Sequence, residues 1–304
     1  MFSRISLSLS PDAISAFAGG PLPHTILSSC QNTLLDMFST RAVLPLRATC
    51  KDAAAAVAAH PWEDRETVIQ GSIGAWRACF PRARCANVCG YAEEWGGQWR
   101  RTPVSDADFA HFAGLWELSM VHCNAVTDAA FVHLQGIRVL NMRSCNQPCI
   151  SDAGLAHLAG IQKLCIRGCD QDTLTDAAFA PLRGLRVLNM SECRQFTDAA
   201  FAHLQGIHTL FLHECSQDSI TDAALAHLKG IKCLVLYGCD IPFTKAGLAH
   251  LQGITRLHMQ YAEASVPAAR ALGLPATASD YTEFSAFRFS DEKSGPWPTG
   301  AEWA

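Results

Sequence analysis

One unit of 22 to 24 residues recurs seven times along the middle of the chain, and such a repeat constrains a fold more than any local propensity. Each unit opens with a Gly followed by Ile or Leu, then x-x-Leu-x-[apolar]-x-x-Cys. The glycines are Gly114, Gly136, Gly160, Gly184, Gly206, Gly230 and Gly253. A clear unit, Gly136 to Ala159, reads G-I-R-V-L-N-M-R-S-C-N-Q-P-C-I-S-D-A-G-L-A-H-L-A. Leu140 and Met142 are two apart, which puts both side chains on one face of a strand. After the Cys, [Thr/Ser]-Asp-Ala-[Ala/Gly]-[Phe/Leu]-x-x-Leu places apolar residues three apart, one face of a short helix.

Thr127, Ser151, Thr175, Thr197 and Thr221 stand where an N-cap hydroxyl accepts a backbone N–H. Asp128, Asp152, Asp176, Asp198 and Asp222 fall in the first turn, where the helix dipole favours negative charge. The next Gly ends the helix. A strand, a turn and a short helix of this length cannot bury a core alone. Stacked, they form a parallel sheet lined by helices.

The pattern resembles the leucine-rich repeat, in its cysteine-containing subtype L-x-x-L-x-L-x-x-C-x-x-[IL]-T-D. The resemblance covers about residues 80–273, nearly two thirds of the chain. It implies an α/β solenoid with a parallel sheet on the concave face and thin, short helices on the convex face. The pattern wears at both ends. Ala83-x-Cys85 reads as an extra first strand and Ser105-Asp106 as a helix start; at the far end Thr244-Lys245 replaces Thr-Asp, Ala262 replaces the Cys, and 265–273 reads as a worn last helix. Residues 274–304 lose the pattern and read as a tail or irregular cap.

Cys123, Cys145, Cys169, Cys193, Cys215 and Cys239 share one repeat position. They read as a buried ladder, each thiol a small apolar plug and a weak donor to a carbonyl. A CxxxC spacing at Cys85/Cys89, Cys145/Cys149 and Cys165/Cys169 raises a zinc site as the rival reading, without any paired C-x-x-C module. His111, His133, His157, His203, His227 and His250 also recur, each before the last apolar residue of its helix. A metal or pH sensor is one reading; histidines bonding the open carbonyls at a helix C-terminus is the other. No metal or cofactor is expected. There is no G-x-x-x-x-G-K-[ST], G-x-S-x-G or H-E-x-x-H, so an enzyme is not expected either.

Residues 1–25 are rich in Ser, Pro and Gly and read as a flexible N-terminus; 26–66 read as helical, with Leu34, Leu35 and Phe38 on one face. Then follow Leu44-Pro45-Leu46-Arg47-Ala48-Thr49-Cys50-Lys51, an Ala run and His60-Pro61-Trp62. An apolar helix ending in Phe, an L-x-L-R-x-x-C-[KR] helix start and a closing Trp resemble an F-box; because Leu22-Pro23 stands well ahead of Leu34, F-box-like is the fitting term. An F-box-like segment before cysteine-containing repeats resembles the substrate receptors of cullin-type ubiquitin ligases. That resemblance implies a Skp-type adaptor and cullin core as partners, with Leu34, Leu35, Phe38, Leu44 and Leu46 as candidate adaptor contacts, and a protein substrate on the repeats. The rival reading makes these helices a cap for the first strand of a stand-alone scaffold or inhibitor.

On the concave face the residue after each strand Leu points outward, as does the one two further on. Arg143 and Arg167 then form a basic spot, and Phe211, His213, Tyr237, His258 and Tyr261 an aromatic one. Arg and aromatic residues are favoured at binding hot spots. The partner read from this face is a protein or peptide with an acidic group and an apolar anchor. The alternative is that the aromatics touch the C-terminal tail with its Trp297 and Trp303.

Charge excludes one class of partner. With 24 Lys and Arg against 28 Asp and Glu, the net charge of −4 lacks the basic surplus of a general nucleic-acid binder. No run of about 20 apolar residues suits a membrane helix, and the Ser-interrupted start does not read as a secretory signal. A reducing compartment, cytoplasm or nucleus, is expected, with the 14 Cys as thiols rather than disulfides.

Overall fold

The computed structural model describes residues 35, 39–47, 51–65, 67–69, 71–88, 104–215, 217–239, 241–260 and 265–277. Among the described residues nine strands form one sheet in chain order, every neighbouring pair parallel. They are β1 (Cys85–Asn87), β2 (Glu117–Ser119), β3 (Val139–Asn141), β4 (Lys163–Cys165), β5 (Val187–Asn189), β6 (Thr209–His213), β7 (Cys233–Tyr237), β8 (Arg256–Gln260) and β9 (Ala276–Thr277). Register follows the repeat: Leu118, Leu140, Leu164, Leu188, Leu210, Leu234 and Leu257 lie opposite one another across successive strands. All seven are fully buried.

Between each pair of successive strands stands a helix of four to six residues, often closing in a 3₁₀ turn. Three represent the set: Asp128–Phe131, Asp152–Ala156 and Asp222–His227. Phe131, Phe179 and Phe201 of these helices, with Leu134, Leu182 and Leu204, close the core against the strand leucines. One continuous core of this kind, open at neither face, is a leucine-rich-repeat solenoid.

The N-terminal described residues build a second, smaller core. α1 (Thr40–Arg47) and α2 (Lys51–Ala59) lead to Trp62, and α3 (Ile73–Cys79) follows. Leu35, Val43, Val57, Trp62, Phe80 and Ala83 pack together there. The Trp62 indole donates to the Val57 carbonyl at 2.8 Å, and its ring meets Phe80 edge-on at 5.5 Å. Asp64 caps α1: its carboxylate accepts from the Thr40 amide (2.7 Å) and hydroxyl (2.8 Å), and from the Thr67 amide (3.1 Å). Burial opposes the charged form of Asp64, but these bonds from Thr40 and Thr67 outweigh it and hold the carboxyl below its ordinary value.

Both ends of the sheet carry an added piece. In 274–304, which read as a tail or irregular cap, Ala276–Thr277 add β9 beside β8. Buried Leu274 supplies the apolar residue that brings this short strand home. At the other end Val68 pairs with Asn87, so the sheet begins one bridge before β1.

Candidate functional site

The sheet brings the concave columns into register: Asn141, Cys165, Asn189, Phe211, Val235 and His258 lie side by side, with His213 opposite Tyr237. Arg143 is exposed at one end of this face. Arg167 is half-buried and its guanidinium binds Glu192, with Nε 2.8 Å from Oε1. Phe211, Cys233 and Val235 form a buried apolar patch with Val187 at its margin. His213 is buried too, between Phe211 and Tyr237, at ring distances of 6.2 and 5.8 Å. Its amide donates to the Ser191 hydroxyl at 3.0 Å. Tyr237 and His258 are half-buried, and Tyr261 lies outside the described residues.

This surface grades from charge to apolar contact over six strands. Burial, then the Arg167 charge, push the His213 imidazole down to about 4, against a smaller opposing effect of Glu192. His213 is therefore neutral at pH 7. Cys165 is buried, and burial pushes its thiol up to about 11 against smaller opposing effects that include the charges of Arg143 and Arg167. It is not a nucleophile at neutral pH.

The candidate adaptor residues separate by burial. Leu35 is buried within the small core. Leu44, on the other side of α1, is 45% exposed. It borders an apolar groove of about 340 Å³ between α1 and α3, lined also by Arg41, Ile69, Trp76 and Phe80. Leu34, Phe38 and the Leu46 side chain lie outside the described residues.

The repeated cysteines sit at the turn after each strand, fully or almost fully buried. Each thiol points to a carbonyl of the preceding repeat, as Cys145 does to Met120 and Cys169 to Met142, both at 3.1 Å. Burial pushes the Cys169 and Cys193 thiols well above their ordinary value. Among the described residues no three His, Cys, Asp or Glu side chains come together as a metal site. The six helix histidines are exposed or half-buried, and none donates to a described carbonyl. The backbone takes that role: the Leu134 carbonyl, for example, accepts from Ile137 at 3.1 Å.

Three features went unread in the sequence. The repeat Asp does more than face the helix dipole. Asp128 accepts from the Ser151 amide (2.8 Å) and hydroxyl (2.5 Å), so it caps the next repeat. Asp106, Asp152, Asp176, Asp198 and Asp222 do the same for Thr127, Thr175, Thr197, Thr221 and Thr244. A second row of brackets comes from Gln147, Gln171, Gln195 and Gln217, whose amides donate to Cys123, Cys145, Cys169 and Cys193 carbonyls. Finally, the residue before each ladder Cys turns left-handed: His122, Ser144, Glu192 and Glu214 at φ 52–60°, Gly168 and Gly238 at 68° and 64°. The glycines at two of six such positions were the available signal.

No family model and no curated protein sequence matches the chain. Solved structures similar to it include internalin C2 of Listeria monocytogenes, 19% identical over 60% of this chain and 74% of that one, with a TM-score of 0.46. Human 5T4, also called trophoblast glycoprotein, is 19% identical over 59% and 69%, with a TM-score of 0.43. A chain of the yeast Rad7 and Elc1 complex is 19% identical over 45% of this chain, with a TM-score of 0.37; the match spans 41% of that chain's length. At these identities the fold rests on the repeat geometry described above. No described helix is long and apolar enough to cross a membrane.

Proposed function

We propose that the chain is a non-enzymatic protein-interaction adaptor, a substrate receptor of an SCF-type ubiquitin ligase. In this reading the F-box-like helices hold a Skp-type adaptor and the concave face holds a protein substrate. The observation that carries the first half is Leu44: a large apolar side chain, 45% exposed, on a helix whose other face is buried. Leu44 is joined by the groove beside it, lined by Ile69, Trp76 and Phe80, and a contiguous exposed apolar patch is what a docking site presents. The concave face supports the second half by offering Arg143 as a charge and Tyr237 and His258 as partly open rings.

A stand-alone scaffold is the second reading, and one observation favours it. The small core runs directly into the solenoid: Arg84 donates its amide to Trp62, Arg84 accepts from the Trp116 amide, and Arg65 pairs with Glu117 at 2.6 Å. A cap would be joined in that way.

Calorimetric titration of the full chain with a purified Skp-type adaptor separates the two. Leu44→Asp is the informative variant, because Leu44 is exposed and its loss leaves the small core intact; Leu35→Asp would place a charge inside that core. Binding abolished by Leu44→Asp, with an unchanged circular dichroism spectrum, supports the receptor. No heat from either protein supports the cap.

A further inference from the structure

We propose that the edge of the solenoid where its strands begin is a separate docking surface, a basic rail that takes an extended acidic segment of a partner protein. The proposal does not depend on the F-box-like helices or on the concave face. It starts from one row of residues, the position just ahead of β3 to β8: Arg138, Gln162, Arg186, His208, Lys232 and Thr255.

The backbone fixes this row. The Arg138 carbonyl accepts from both Gln162 and Lys163, the Gln162 carbonyl from Arg186 and Val187, and the Arg186 carbonyl from His208 and Thr209. His208 and Lys232 repeat the fork toward the next rungs. Neighbouring strands stand about 4.8 Å apart, so six rungs make a straight row about 24 Å long.

Its charge is one-sided. All members of the row except half-buried His208 are exposed. Lys163 and Arg256, the first residues of β4 and β8, share the concave face with Cys165 and His258 and lie outside the row. No Asp or Glu occurs at the row, in the residue after it, or in the three residues before it through these six repeats. Burial first, then the charges of Arg186 and Lys232, lower the His208 imidazole, which places those three side chains in one field. The acids collect on the opposite edge, where Asp128, Asp152, Asp176, Asp198 and Asp222 begin the helices. A chain of net charge −4 therefore presents a local positive line.

The spacing selects a peptide. Gln162 and Thr255 carry no charge and the His208 imidazole is lowered, so the row's cations are Arg138, Arg186 and Lys232, sparse along the row. Duplex nucleic acid carries a charge about every 1.7 Å of its axis. The row's cations stand on alternate rungs, about 9.6 Å apart, and an extended peptide with same-side residues about every 6.7 Å can bring a flexible Glu carboxylate to each. Trp116 holds the same position ahead of β2 and is 53% exposed, so it offers a ring to an apolar residue beside the acidic run.

The test is fluorescence anisotropy of the full-length chain with two labelled probes of about ten units, an alternating Glu-Gly peptide and oligouridylate. The peptide should bind, lose affinity as salt is raised because the contacts are exposed, and lose roughly tenfold or more on Arg186→Glu/Lys232→Glu. Arg186→Gln/Lys232→Gln, which adds no new charge, should fall between; Lys245→Glu, at the helix-start edge opposite the row, should match the parent. Four results would overturn the proposal. These are no peptide binding, equal binding by the Arg186→Glu/Lys232→Glu chain, tighter oligouridylate binding lost in that same chain, or peptide binding seen only after Asp280, Glu283, Asp291 and Glu292 are neutralised. The last would assign the row to the chain's own C-terminal residues.

Discussion

Each carboxylate that begins a repeat helix also holds the cap of the next repeat, so losing one loosens two units. Asp128→Ala strips the Ser151 amide and hydroxyl of their acceptor. Bonds to a charged group contribute about 1.5–3 kcal/mol, less where solvent reaches them, so a loss of about 1–2 kcal/mol in urea unfolding is expected. A value near zero would mean that water replaces the strap. His213 sets a pH dependence. Its folded value of about 4 lies below the ordinary 6.5, so between those limits the unfolded chain takes up a proton that the folded chain refuses. Stability should fall as pH drops through that window, by about 2 kcal/mol from pH 6.5 to 5, and His213→Gln should flatten the slope. Thiol chemistry should split by position: exposed Cys149 labels in the native protein, while buried Cys145, Cys169 and Cys193 label only on unfolding. At this scale the sequence was half legible. The Thr-Asp step could be read as cap and dipole, because both are local. The reach of Asp128 to Ser151 spans 23 residues and needs the stacked repeats to be seen.

Strand and helix boundaries were legible because every repeat puts its apolar residues in the same places, two apart and then three apart. What the pattern could not give was strand length. β1 to β5 have three residues, β6 to β8 have five. The longer strands carry Phe211, Leu212 and His213, or Val235, Leu236 and Tyr237, side chains suited to a pleated surface on both faces. β9 was missed since Ala276–Thr277 has no repeat signature at all; only the strand beside it defines it. The strands share one core, so a cavity in any rung is felt by its neighbours. Leu164→Ala, in the centre of β4 and fully buried, should cost about 2–5 kcal/mol. Native-state hydrogen exchange should then show faster exchange in β3 and β5 as well as β4. Loss confined to β4 would contradict a continuous core.

The whole molecule joins a small helical core to a polar-edged solenoid, and its proposed work divides the same way. The repeat made the solenoid readable from sequence. Which candidate adaptor residues face outward was not readable, because a helix with apolar residues on both sides does not say which side faces its own core. Leu35 and Leu44 were equal candidates until packing put one inside and left the other out. The most direct test is hydrogen exchange of the full chain with and without a Skp-type adaptor. The account predicts slowed exchange in Thr40–Arg47 and in Ile73–Cys79 along the groove, with β3 to β8 unchanged. Protection on the concave strands instead, or none anywhere at saturating adaptor, would contradict it.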